Sequence, residues 1–128
     1  MKKNFILTTQ LDFAAAHRLI GYDGDCAKLH GHNWKIEVSV IGHTLNDIGM
    51  VIDFKQVKHH AKEVIAELDH SYLNDHPHFQ RTNPTAENIA QYLFNELAKR
   101  LDQDLFKMHQ IRVWENDRNY VTYSEIDS

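Results

Sequence analysis

Cysteine is all but missing from this 128-residue chain, with Cys26 as its one representative. A lone thiol cannot close an intrachain disulfide, so it is left for reactive or metal-linked chemistry, and the expected setting is a reducing cytoplasm. Proline is scarce: both residues fall between Asn74 and Pro84. With no repeat, low-complexity stretch or linker, nothing divides the chain, and residues 1–128 are expected to form one domain. No apolar run approaches the roughly 18 residues of a membrane span, so no membrane partner is expected. Positive charge is not in excess either; 14 Lys and Arg against 18 Asp and Glu give a net charge of -4. Without a basic field to hold a polyanion, nucleic acid is not an expected partner. The opening MKKNFILTTQLDFAAAHRL has a basic pair and three alanines, but Gln10, Asp12 and His17 interrupt any signal-like apolar stretch, and it reads as mature protein.

Histidine is what the sequence has in quantity, ten residues in all. From Phe5 to His17, apolar odd positions alternate with Thr8, Gln10 and Asp12, the pattern of a half-buried strand that His17 continues. Trp34, Ile36, Val38 and Val40 repeat it from His32 to Val40, with His30 and His32 on the same parity. Asp53 is placed to cap a helix whose apolar positions run from Phe54 to Leu68, and Thr85 to cap a second running to Leu101. Asn74 to Pro84 reads as a long loop, and Ile111 to Glu115 and Tyr120 to Tyr123 as a terminal hairpin. The order ββααββ implies an α+β fold, a four-stranded antiparallel sheet with two helices on one face. Its open edges are of the kind managed by pairing with neighbouring subunits, so a homo-oligomer is expected.

Residues i and i+2 of a strand share a face, so His30 and His32 can converge on one ion. Antiparallel pairing of the first two strands would bring His17 beside them. Three imidazoles and an open fourth position form a catalytic zinc arrangement; zinc is favoured over copper or iron because it needs no redox partner. The same residues also fit three satisfied or exposed histidines. Cys26 suits a fourth ligand of a closed site, a general base beside an open one, or a small buried apolar side chain. Asp69 can tune His70 for proton transfer, or the two can be a solvated Asp and a histidine at a helix C-terminus. Glu115 has the inward parity of Ile111 and Val113, where a carboxylate needs a ligand's donors, an internal cation or water at the strand end. His59 and His60 lie on a helix with lysines, and His43 and His109 near element ends, without assigned roles; His76 and His78 flank Pro77 and read as surface.

Taken together, FAAAHRL, CAKLHGHNW, GMVIDF, LDHSYLN, NPTAENIA and VWEN resemble the 6-pyruvoyl tetrahydropterin synthase family from about Phe5 to Tyr123. Within it they are most similar to the queuosine-pathway branch, the 6-carboxy-5,6,7,8-tetrahydropterin synthases. The branch rests on the three-residue gap between Cys26 and His30, shorter than usual in the pyruvoyl-forming enzymes, with NPTAEN and VIDF. A side-chain-cleaving branch that carries glutamate for the cysteine is disfavoured by Cys26. The resemblance implies the tunnelling fold (T-fold) assembled as a homohexamer, and zinc held by His17, His30 and His32. It implies Cys26 as the proton-abstracting residue, with Asp69 and His70 as its relay from a neighbouring subunit. Glu115 would anchor the pterin through two parallel hydrogen bonds, and Thr85 would lie near it. The implied reaction takes 7,8-dihydroneopterin triphosphate to 6-carboxytetrahydropterin, acetaldehyde and triphosphate, with no redox cofactor. Arg18, Lys28 and Lys35 are candidates for the phosphates. Two alternatives stand beside it: the pyruvoyl-forming reaction on the same substrate, and a noncatalytic zinc module with one cysteine and three histidine ligands.

Overall fold

Strict alternation joins the two long strands. In β1 (Phe5–His17) Leu11, Phe13, Ala15 and His17 are buried, and in β2 (His30–Gly42) Trp34, Ile36, Val38 and Val40 are. Their antiparallel register runs unbroken from Phe5 opposite Gly42 to His17 opposite His30. The structure, a computed structural model, describes residues 3–22, 24 and 28–125. After β2 come α1 (Phe54–Ala66), the two-residue strand β3 (Ser71–Tyr72), α2 (Ala86–Leu101), β4 (Phe106–Trp114) and β5 (Tyr120–Tyr123). The sheet order is β3-β1-β2-β4-β5, and α1 and α2 pack on the face that carries the alternating apolar side chains. None of these helices is long and apolar enough to cross a membrane.

Both helices start where the side chains that cap them predict. Asp53 Oδ1 accepts from Lys55 N–H at 2.9 Å, and Thr85 Oγ1 accepts from Asn88 N–H at 3.1 Å. The buried stripe of α2 includes Ile89, Leu93 and Leu97, all fully buried, at the 3.6-residue period that faces the sheet.

Four features depart from the expected layout. The sheet has five strands, because β3 pairs in parallel with β1, Ala15 facing Ser71 and Ala16 facing Tyr72; two residues are too few to give a period. The first helix ends at Ala66, and Leu68, though fully buried, lies beyond it in the turn that closes onto Ile65. Strand β4 begins at Phe106 rather than Ile111, since the ladder with β2 shifts register between Ser39 and Val40. Apolar parity therefore changes between Met108 and Ile111, which hides the strand from a period-two reading. The expected loop from Asn74 contains two short 3-10 turns, Leu73–Asp75 and Pro77–Phe79.

Trp34 is the packing link between this core and the histidines. It is fully buried, its indole N–H donates to Ala15 C=O at 3.3 Å, and its ring stacks on Phe13 with centroids 6.1 Å apart. Replacing it by alanine removes the support beneath His17 and His32. Trp34→Ala is expected to cost about 3–5 kcal/mol in urea unfolding and to weaken metal binding with it. A loss below about 1 kcal/mol would show that the site does not rest on this ring.

Candidate metal centre

His17 ends β1, His30 starts β2, and the register sets them directly opposite each other, with His32 opposite Ala15. Ring centroids lie 4.5 Å apart for His17 and His30, 4.6 Å for His30 and His32, and 5.1 Å for His17 and His32. Trp34, next on the same face, meets the rings of His17 and His32 edge-on at 5.1 Å each. The sequence-predicted convergence of the three imidazoles is thus a property of the strand ends.

Two backbone carbonyls orient the rings. Nδ1 of His17 lies 2.7 Å from Pro84 O, and Nδ1 of His30 lies 2.7 Å from Lys28 O. A carbonyl only accepts, so each Nδ1 carries the proton and each Nε2 keeps its lone pair. Those two Nε2 atoms are 3.0 Å apart, two acceptors with no proton to share between them. Nε2 of His32 is buried and has no hydrogen-bond partner. One atom from each of His17, His30, His32 and Glu115 lies within 4.8 Å of the others, the only such group among the described residues. Converging lone pairs, an orphaned buried nitrogen and carbonyl-held Nδ1 protons are what a bound cation requires. Burial lowers the pKa of His17 and of His32; the Pro84 carbonyl for His17 and the Glu115 carboxylate for His32 are the main opposing influences. Both are thereby held in the neutral form a metal ligand needs.

Glu115 stands one residue past β4, on the expected inward parity, and its Oε1 lies 3.4 Å from His32 Nε2 and 3.6 Å from His17 Nε2. Its neighbours are therefore imidazoles, a placement that none of the partners read from the sequence, a ligand's donors, an internal cation or water, includes. Its side chain remains 32% exposed, so it can still meet a molecule entering from solvent. Thr85 acts as the α2 cap, next to the Pro84 carbonyl that holds His17. Cys26 lies outside the described residues. Of the cationic candidates, Lys35 sits on the opposite sheet face with Nζ 4.2 Å over the Trp114 ring, which leaves Arg18 and Lys28 beside the histidines in sequence.

Asp69 and His70 form a pair of their own, outside the histidine group. Asp69 Oδ1 accepts from Ala14 N–H at 2.9 Å and lies 3.0 Å from His70 Nδ1, while His70 N–H donates to Ala14 C=O. The Ala14 hydrogen bond is the main influence lowering the Asp69 pKa. His70 has a φ of 57°, unusual for a residue with a side chain, and the two bonds to Ala14 hold it there. Its side chain is 83% exposed and borders an open concavity of about 400 Å³ whose lining includes Ala14, Ala15, Ala16, Gly31, His32 and Asn33. Ala14, Ala16, Gly31 and Asn33 have the parity opposite to the histidines, while Ala15 and His32, which also line the concavity, have the parity of the histidine face. His78 is exposed as expected, but His76 is half-buried. It is 14% exposed, with Nε2 3.3 Å from Glu67 Oε2 and 3.4 Å from Tyr92 Oη, because the 3-10 turn at Pro77–Phe79 folds it against α2.

The lowered pKa values have a signed consequence. Folded His17 and His32 bind fewer protons than the unfolded chain, whose histidines titrate near 6.5, so stability is complete above that pH and is lost as pH falls through the lower folded values. The chelator-treated chain should show a falling Tm between about pH 6.5 and 5, and His17→Ala/His32→Ala should flatten that slope. A Tm of the chelated chain independent of pH over this range would contradict the reading.

Residues 6–126 match the family model described as 6-pyruvoyl tetrahydropterin synthase. The chain is 35% identical over 133 residues to the 6-carboxy-5,6,7,8-tetrahydropterin synthase of Rickettsia typhi, covering 89% of this chain and 96% of that one. It is 32% identical over 135 residues to the 6-pyruvoyl tetrahydrobiopterin synthase of Dictyostelium discoideum, covering 96% and 98% respectively. Its fold superposes on the 6-pyruvoyl tetrahydropterin synthase structure from Caenorhabditis elegans with a TM-score of 0.87 at 26% identity, over 98% of this chain and 99% of that one. The strand order, the two helices on one face and these similarities establish a T-fold pterin synthase, and the chain belongs to the 6-pyruvoyl tetrahydropterin synthase family.

Proposed function

We propose that this chain is a zinc-dependent 6-carboxy-5,6,7,8-tetrahydropterin synthase, a lyase of queuosine biosynthesis. It converts 7,8-dihydroneopterin triphosphate and one water to 6-carboxytetrahydropterin, acetaldehyde and triphosphate. In this reading residues 1–128 form one T-fold domain that works in the cytoplasm as a homohexamer with active sites shared between subunits. The observation that carries it is the convergence of three imidazoles, two of them with Nε2 left as an acceptor, beside the Glu115 carboxylate, in a chain similar to named 6-carboxytetrahydropterin synthases.

His17, His30 and His32 hold the zinc through Nε2, and the Pro84 and Lys28 carbonyls keep two of the rings in the required tautomer. When bound, zinc supplies Lewis acidity that polarises the oxygens of the substrate side chain and lowers the cost of enolate-like states. Glu115 accepts two parallel hydrogen bonds from the pterin amino group and the adjacent ring N–H, with Thr85 nearby. Arg18 and Lys28 are the cations available to the triphosphate. Cys26 withdraws a proton from the side chain, and His70, paired with Asp69, moves the partner proton. The 83% exposure of His70, outside the group formed by His17, His30, His32 and Glu115, supports its serving the site of a neighbouring subunit.

Incubating the zinc-loaded chain with 7,8-dihydroneopterin triphosphate, under reducing and anaerobic conditions with an aldehyde trap, tests the reading. Acetaldehyde and 6-carboxytetrahydropterin are expected from the unaltered chain. Cys26→Ala is expected to keep its zinc and to lose at least about a hundredfold in kcat. A 6-pyruvoyl product without acetaldehyde would instead assign the pyruvoyl-forming reaction. Loss of zinc from Cys26→Ala, with no turnover by the unaltered chain, would assign a closed binding module.

A further inference from the structure

The parallel ladder between β3 and β1 lasts only for Ala15 with Ser71 and Ala16 with Tyr72, because the chain then turns into the 3-10 segment Leu73–Asp75. The backbone leaving β1 nevertheless stays paired. Arg18 N–H donates to Asn74 Oδ1 at 3.0 Å, and Asn74 Nδ2 donates to Arg18 C=O at 2.9 Å. Two residues on, Ile20 N–H donates to Asn83 Oδ1 at 2.9 Å, and Asn83 Nδ2 donates to Ile20 C=O at 2.8 Å. A primary amide offers a donor and an acceptor as a peptide group does. Alternate residues of an extended chain present N–H and C=O to the same side. The two asparagine side chains therefore take the place of the missing strand and carry the ladder on to Ile20.

Both clamps are anchored from behind. Asn83 C=O accepts from Asn88 Nδ2 at 2.8 Å, and Asn88 N–H is bound to the Thr85 cap of α2. Asn74 follows the fully buried Leu73. The segment that bears the clamps also bears Ser71 and Tyr72 against β1 at one end and the Pro84 carbonyl on His17 at the other. His17 is thus held on every side: by the ladder before it, the clamp after it and Pro84 at its ring.

We infer that Asn74 and Asn83 are positioning residues for the synthase reaction: by gripping Arg18 and Ile20 they fix the exit of the chain from the metal centre toward Cys26 and couple it to the segment that follows Asp69 and His70. The chemistry of this inference rests on the function proposed above; the clamps themselves do not. All four bonds lie at the surface, where they add little to global stability. Their loss is therefore expected in rate rather than in folding.

The test compares Asn74→Ala, Asn83→Ala and the double variant with Asn74→Asp and Asn83→Asp, all zinc-loaded. Amide hydrogen exchange at Arg18 and Ile20 should quicken by about tenfold or more in the alanine variants. Their kcat on 7,8-dihydroneopterin triphosphate should fall by about ten- to a hundredfold with KM within about twofold, and zinc content should hold. The pH profile for alkylation of the single thiol by iodoacetamide should move. The aspartate variants keep the acceptor for each N–H and lose the donor, so they should lie between. Faster exchange with an unchanged kcat and alkylation profile would overturn the inference, as would exchange equal to that of the unaltered chain. If the alanine variants fail to fold, the aspartate variants decide: intermediate values uphold the positioning role and unaltered values overturn it. If the unaltered chain turns over no substrate, the proposed function fails separately, and exchange and alkylation still decide whether the clamps set the exit.

Discussion

Everything at the candidate site hangs on the antiparallel register of β1 and β2. Because His17 faces His30 and His32 faces Ala15, the three imidazoles share one face at one end of the sheet. A slip of one residue would turn one strand's histidines to the other face, and its apolar side chains with them. The long alternation from Leu11 to His17 against Trp34 to Val40 makes that slip prohibitive, so the core holds the metal centre in register. Stability and function here use the same pattern of side chains.

The second constraint is where the helices begin and end. The entry to α2 sets Pro84 so that its carbonyl accepts a hydrogen bond from His17 Nδ1–H, and the turn after α1 sets Asp69 and His70 on the Ala14 peptide. Neither contact needs a special residue at the receiving backbone group. Both depend on the approach of a segment to the end of β1, which is why Ala14–His17 is the meeting point of the clustered histidines, the Asp69–His70 pair and the α2 cap. The tautomer of His17 is fixed by the first of these approaches and that of His30 by the Lys28 carbonyl, and burial lowers the pKa values of His17 and His32.

The sequence showed the strands, the caps at Asp53 and Thr85 and the convergence of His17, His30 and His32, because period-two alternation and the H-x-H spacing are local signals. It did not show β3, whose two residues have no period, nor the start of β4, where the bulge opposite Ser39 and Val40 reverses the parity. Glu115 was legible as an inward carboxylate but not as a neighbour of imidazoles, since its distance from them is set by three strands, β1, β2 and β4, side by side in the sheet. The carbonyls of Pro84 and Lys28 left no trace at all, as every residue has one. His76 was misplaced for a related reason: the turn that packs it on Tyr92 is built by Pro77, which in sequence reads only as a break.

The central claim is that three histidines form a site with a coordination position left open for chemistry. X-ray absorption at the zinc edge of the purified chain tests it most directly. The account predicts three imidazole nitrogens at about 2.0–2.1 Å with a remaining light-atom ligand and no sulfur. A sulfur scatterer at about 2.3 Å, which only Cys26 is placed in sequence to supply, would make the site closed and structural and contradict it.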